Sequence, residues 1–163
     1  MLMNLDKQIQ VLIDNAPQDG TTPQIVATIA PALKILAGQL RHAQYYIVQS
    51  LQGEWVLTTL SNRAFPDREK QVIYAFPSSQ DALSGEFAAK NPQLMASAVP
   101  VVHILFQMLT LEPVESILFF EIPGNKSTGT EVLRSQVQYL IQGELQKLKS
   151  KSAGNINIPP DIA

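Results

Sequence analysis

ESILFFEIPGNKSTGTEVL, residues 115–133, decides how this chain is read. Its first eight residues hold a nearly continuous apolar run, Ile117 to Phe120 and Ile122, with the length of an interior strand covered on both faces. Gly124, four residues and then Gly129 reproduce the glycine spacing of a phosphate-binding loop, placed between that strand and an amphipathic run. The residues that carry the chemistry differ. Thr130 stands where a lysine should reach the β and γ phosphates, and Glu131 stands where Ser or Thr should hold magnesium. Lys126 lies inside the loop, and no later strand is expected to complete a βαβ unit. The spacing of Thr128 and Glu131 fits instead a capping box that opens a helix over about 130–149. In that helix Leu133, Val137, Leu140, Ile141, Leu145 and Leu148 recur at helical spacing, and Lys147, Lys149 and Lys151 suit its negative end.

Upstream, residues 94–111 form the longest apolar run, interrupted by Pro100, His103 and Gln107. A membrane span needs roughly 18–20 uninterrupted apolar residues, so the run reads as a core helix over about 93–110. Pro77, Ser78, Ser79 and Asp81 mark the start of a short helix capped by Ser78, with Leu83 and Phe87 as its buried contacts. Residues 44–61 read as a hairpin around Gln52 and Gly53, and 71–76 as a third strand beyond a polar loop, 62–70. Two helices come first. Leu5, Ile9, Leu12, Ile13 and Ala16 form one stripe, and Ile25, Ile29, Leu33, Leu36 and Leu40 another behind a Thr22 cap, with a kink or split expected near Ala30 because of Pro31. The resulting order is ααβββααβα. It predicts one α+β domain over 1–151, with a mostly antiparallel sheet (a three-strand meander plus a later strand), about five helices, and a flexible tail over 152–163.

Composition narrows the function. A net charge of −2 over 163 residues supplies no broad basic surface, so neither nucleic acid nor membrane is expected as a partner. The absence of cysteine removes disulfides, thiolate chemistry and cysteine-bearing metal sites. The N-terminus lacks the charged front and apolar middle of a signal peptide, which points to the cytoplasm. His42 and His103 stand apart from paired carboxylates, so no metal site is expected. His103 reads as a satisfied, semi-buried histidine and His42 as part of a helix end. There is no G-x-S-x-G elbow; Asp67 and Glu69 sit among Arg68 and Lys70, and Glu112, Glu115 and Glu121 show no partner cluster. No enzyme and no cofactor are expected.

Recognition remains. Tyr45, Tyr46, Trp55, Phe65, Tyr74 and Phe76 concentrate in the first three strands, and a two-faced sheet must turn some of them away from the helices. Tyr46, Trp55, Phe65 and Arg63 are the candidate contacts to another protein, held as an extended segment on the sheet face or edge, with a homodimer also open. The alternative is a small-ligand sensor with a pocket between helix 93–110 and the sheet, using Tyr74 and His103.

The succession EWVLTTLSNR, KQVIYAFPSSQDALSGEF, VVHILFQML and VESILFFEIPG resembles the SseB-type module through Tyr74, Phe76, Ser78, Ser79, Ala82, Leu118, Gly124 and Asn125, over about half the chain. The element order is also similar to type III secretion chaperone-like folds. That resemblance implies binding of protein segments without catalysis. The two N-terminal helices and the helix over 93–110 depart from the pattern. The Gln-rich, Cys-free chain further resembles small cyanobacterial assembly factors, such as chaperones for carboxysome shell proteins.

Overall fold

The computed structural model describes residues 4–17, 19–20, 22–61, 69–84 and 92–156. Helix α1 (Leu5–Asn15) starts at Asn4, whose side chain accepts from the Lys7 amide at 2.8 Å. Helix α2 (Thr22–Gly38) is closed by Asp19, which accepts from the Thr22 amide at 2.7 Å and its hydroxyl at 2.6 Å. Of the kink or split expected near Ala30, the split does not occur: α2 runs through Pro31 to Gly38. Pro31 and Ala27, whose carbonyl loses its donor, both lie on the exposed side, where water can replace the missing bond.

Strands β1 (Gln44–Ser50), β2 (Thr58–Ser61) and β3 (Glu69–Phe76) follow, then the short helix α3 (Ser79–Leu83). Ser78 caps α3 as expected, accepting from the Asp81 amide at 3.1 Å, but Ala82 is its buried residue and Leu83 is exposed. Next come β4 (Leu94–Pro100), α4 (Val101–Thr110), β5 (Val114–Ile122), β6 (Asn125–Leu133) and α5 (Arg134–Ile156). The strands form one sheet in the order β4-β1-β3-β5-β6, with β2 paired to β3. β1 takes the C-terminal half of β3, through Tyr46↔Phe76, and β2 takes its N-terminal half, through Thr58↔Val72. Between them the chain makes a hairpin excursion, bridged at Gln49↔Trp55, so the expected strand over 54–61 is shortened to its last four residues.

The α+β class agrees with the sequence reading, as do the five helices among the described residues, but the sheet is mixed. β3 and β5 are parallel, and two further strands replace the start of the helix expected over 93–110 and the loop and first turn expected around 124–133. Residues 94–100 pair along their whole length with β1, although Leu, Met and Ala favour helices. Pro100 restricts Val99 to extended backbone, and the helix begins only after it. Residues 125–133 pair with β5 across a turn in which Gly124 has φ 79°. Thr128 and Glu131 therefore lie in a strand and make no capping box. The amide of Leu133 donates instead to the Gln136 side chain at 2.8 Å, and α5 starts at Arg134. α5 runs to Ile156, five residues into the segment expected as a tail.

The core fills one face of this sheet. Tyr45, Ile47, Ile73, Ala75, Ile117, Phe119 and Val132 meet Leu33, Leu36 and Ala37 of α2, Val101, Leu105 and Met108 of α4, and Val137 of α5. By alternation, Tyr46, Tyr74, Phe76, Leu118 and Phe120 point the other way.

Candidate functional site

The outward row is continuous across the sheet. Ala98 lies opposite Tyr46, Tyr46 opposite Phe76, and Phe120 opposite Gly129. The parallel register sets Ala75 beside Phe119, which brings Phe76 beside Phe120. The Phe76 and Phe120 rings stack with centroids 5.2 Å apart, and Tyr74 lies 6.2 Å from Phe76 and 5.5 Å from Phe120 at steeper angles. Offset and edge contacts of this kind favour a fixed aromatic cluster. Phe76 is buried, while Tyr46, Tyr74, Leu118 and Phe120 are half-buried. Gly129 makes room for the cluster: a Cβ there would stand 2.9 Å from the Phe119 carbonyl oxygen and 3.4 Å from the Phe120 ring.

A polar rim borders this face. Glu131, beside Leu118, accepts from the Ser116 hydroxyl at 2.7 Å and from the Lys70 ammonium. Lys70 first, and then Ser116, hold its carboxyl below the usual range. A recess of about 360 Å³ beside the rim is lined by Lys70, Glu115, Leu133, Arg134, Ser135 and Gln138. The Arg134 guanidinium is directed elsewhere, donating to the carbonyls of Val114, Met108 and Leu111, where it closes the C-terminal end of α4.

Of the residues nominated from the sequence, Tyr46 lies on the outer face, whereas Trp55 is partly buried against the helix-side core. Arg63 and Phe65 lie outside the described residues. Tyr74 and His103 do not meet: Tyr74 belongs to the outer cluster, and the His103 ring reaches the Gln8 carbonyl of α1 at 3.3 Å on the helix side. Burial holds the His103 pKa below its ordinary value. Gln8 itself is buried, accepts from the Val102 amide at 2.9 Å and donates to the Ala43 carbonyl at 2.8 Å, tying α1 to the start of α4.

One cluster escaped the sequence reading. Glu121, expected to lack partners, is buried and accepts from the Tyr45 hydroxyl and from the Arg41 amide at 3.1 Å. His42 donates through Nε2 to the Glu121 carbonyl at 2.8 Å, and its ring packs edge-on to Tyr45 at 5.3 Å. Burial first, and then the bond to Glu121, raises the Tyr45 pKa well above its ordinary value. These groups satisfy one another, joining the end of α2 to β1 and β5. The partners are 76 to 80 residues apart, so no local spacing announces them. Leu118 and Phe120 were also missed, because a strand read as covered on both faces hides its own alternation.

Among the described residues, no group of three or more His, Asp or Glu side chains could hold a metal, and no helix is long and apolar enough to cross a membrane. Neither a protein-family model nor a curated protein matches this sequence.

Proposed function

We propose that this chain is a non-enzymatic adaptor or assembly chaperone of the bacterial cytoplasm, and that it holds a segment of another protein against the outer face of its sheet. The observation that carries the reading is the half-buried row of Tyr46, Tyr74, Leu118 and Phe120 on the face opposite the core helices. Aromatic side chains fixed by their neighbours lose little entropy on binding, and a tyrosine adds a hydroxyl at the rim of an apolar contact. Lys70 and Glu131 supply charge at the border, where it directs a partner rather than burying an ion. The engagement of His42, His103, Glu121 and Glu131 in contacts that hold the fold together points the same way.

The test is affinity capture from native lysate with the wild-type chain and with a Tyr46→Ala/Tyr74→Ala variant. A retained partner that disappears with the variant, while the variant still unfolds cooperatively at a modestly lowered melting temperature, is the expected result. Equal retention by both would overturn the reading.

A further inference from the structure

The two edges of the sheet differ in a way the outer face does not explain. β6 carries Glu131, and charge on an edge strand discourages pairing with another chain. β4, at the opposite edge, reads LMASAVP and has no charged residue over seven positions. Among the described residues nothing pairs with its outer side. Met95 is 41% exposed there and Ala98 is exposed.

The direction of the free backbone groups follows from one bond. The Val101 amide donates to the Ala43 carbonyl, just beyond the paired β1–β4 register, at 2.9 Å. Backbone groups alternate along a strand. Met95, Ser97 and Val99 therefore turn theirs toward β1, and Leu94, Ala96, Ala98 and Pro100 turn theirs outward. Pro100 contributes only an acceptor, at the very end.

From this we propose that a second copy of this chain pairs with β4, antiparallel and about a two-fold axis at Ser97. That register uses all seven residues. Ala96 exchanges both backbone hydrogen bonds with Ala98 of the other copy, and Leu94 donates to the carbonyl of its Pro100. Met95 lies opposite Val99, and Ser97 lies opposite its own equivalent. No like charges meet, so the strand is complementary to itself. Two sheets become one, and the two outer aromatic faces lie side by side. A strand-only contact falls below the roughly 1,600 Å² of a standard interface, so the dimer is weak and concentration-dependent. The inference is independent of the proposed function, since it concerns the edge and needs no third protein.

The chain has no cysteine, so an introduced one reports unambiguously. Ser97 would be a non-hydrogen-bonded pair across the axis, with Cα atoms about 4.5 Å apart, inside the range a disulfide accepts. Ser97→Cys should give a disulfide-linked dimer under mild oxidation at least about tenfold faster than Ala98→Cys, which would face Ala96. Sedimentation of the cysteine-free chain provides the second measurement. Ala96→Lys/Ala98→Lys sets lysine opposite lysine twice and should weaken the dimer about tenfold, whereas Ala96→Glu/Ala98→Lys should restore it. A wild-type chain that stays monomeric at every concentration would overturn the proposal. So would a dimer indifferent to the paired lysines, or equal cross-linking of the two cysteine variants, because each would place the contact elsewhere or remove it.

Discussion

The two faces of the sheet come from the same strands and are finished differently. On the helix side, Ile47, Ile73, Ile117 and Phe119 are fully buried, and the polar groups among them, Tyr45 and Glu121, answer each other. On the outer side, Tyr74 and Phe120 pack with ring centroids 5.5 Å apart yet remain half-buried, as does Leu118, and the Glu131 carboxylate opposite Leu118 bonds to a lysine at the rim. Apolar character alone does not separate the faces. Completeness of burial separates neighbours such as Phe119 and Phe120 but not the whole faces, since Val72, Phe76 and Ser116 on the outer side are buried as well; the half-buried Tyr46, Tyr74, Leu118 and Phe120 are what that side leaves as surface.

The contrast breaks most clearly at two adjacent residues. Phe119→Ala should cost about 3–5 kcal/mol, because its ring is fully buried against α2, α4 and Tyr45. Phe120→Ala should cost less than half of that, since its ring is only half-buried. Urea unfolding of both variants measures the difference, and equal losses would erase the distinction between the faces. Next in size is Glu121→Ala, which leaves the Tyr45 hydroxyl and the Arg41 amide without their acceptor and should cost about 1–3 kcal/mol. Its effect should be smaller in a Tyr45→Phe background, a non-additivity that a double-mutant cycle reads directly. Gly129→Ala should cost about 1–3 kcal/mol, because the new methyl group would meet the Phe119 backbone 2.9 Å away.

The smallest effect sharpens the comparison through pH. His103 has a folded pKa below its ordinary value of 6.5, with burial the leading cause. Between the two values the unfolded chain binds more protons than the folded one, so stability falls as pH drops through 6.5 toward the folded pKa. His103→Gln should flatten that part of the stability profile. Glu131 acts lower, since its contribution is present above its ordinary value of 4.5 and lost as pH falls through the depressed folded value. Lys70→Ala should abolish most of the Glu131 dependence while leaving the His103 dependence in place.

Much of the scaffold could be read from local pattern. The stripe of α1, the Ile29, Leu33 and Leu36 part of the α2 stripe, the Ser78 cap and the apolar run of β5 each declare themselves within a few residues, whereas Ile25, expected in the α2 stripe, is 53% exposed and Leu40 lies beyond the helix. β4 and β6 do not. In β4, helix-favouring residues are overridden by pairing with β1 from the first residue to the last, and the restriction that Pro100 places on Val99 was the one local sign against a helix. In β6, Thr128 and Glu131 have capping-box spacing but serve the sheet, and the adjacent apolar Val132 and Leu133 show no alternation in the sequence, although the structure buries one and exposes the other. The site was legible as a concentration of aromatics in the first strands, through Tyr46, Tyr74 and Phe76. Which face each residue takes depended on the register: Trp55 crosses to the core through its bridge to Gln49, and Phe120 joins the outer cluster through the parallel pairing of β3 with β5. Those are long-range facts with no counterpart in local spacing.

The most direct test of the outer face as the docking surface is photo-cross-linking in native lysate, with a photoreactive residue in place of either Phe120 or Tyr139. Tyr139 lies on α5 and is 76% exposed, so it controls for mere accessibility of an aromatic. The account predicts a discrete cross-linked protein from position 120 and none in common with it from position 139. The same adduct from both positions, or an adduct from position 139 alone, would contradict it.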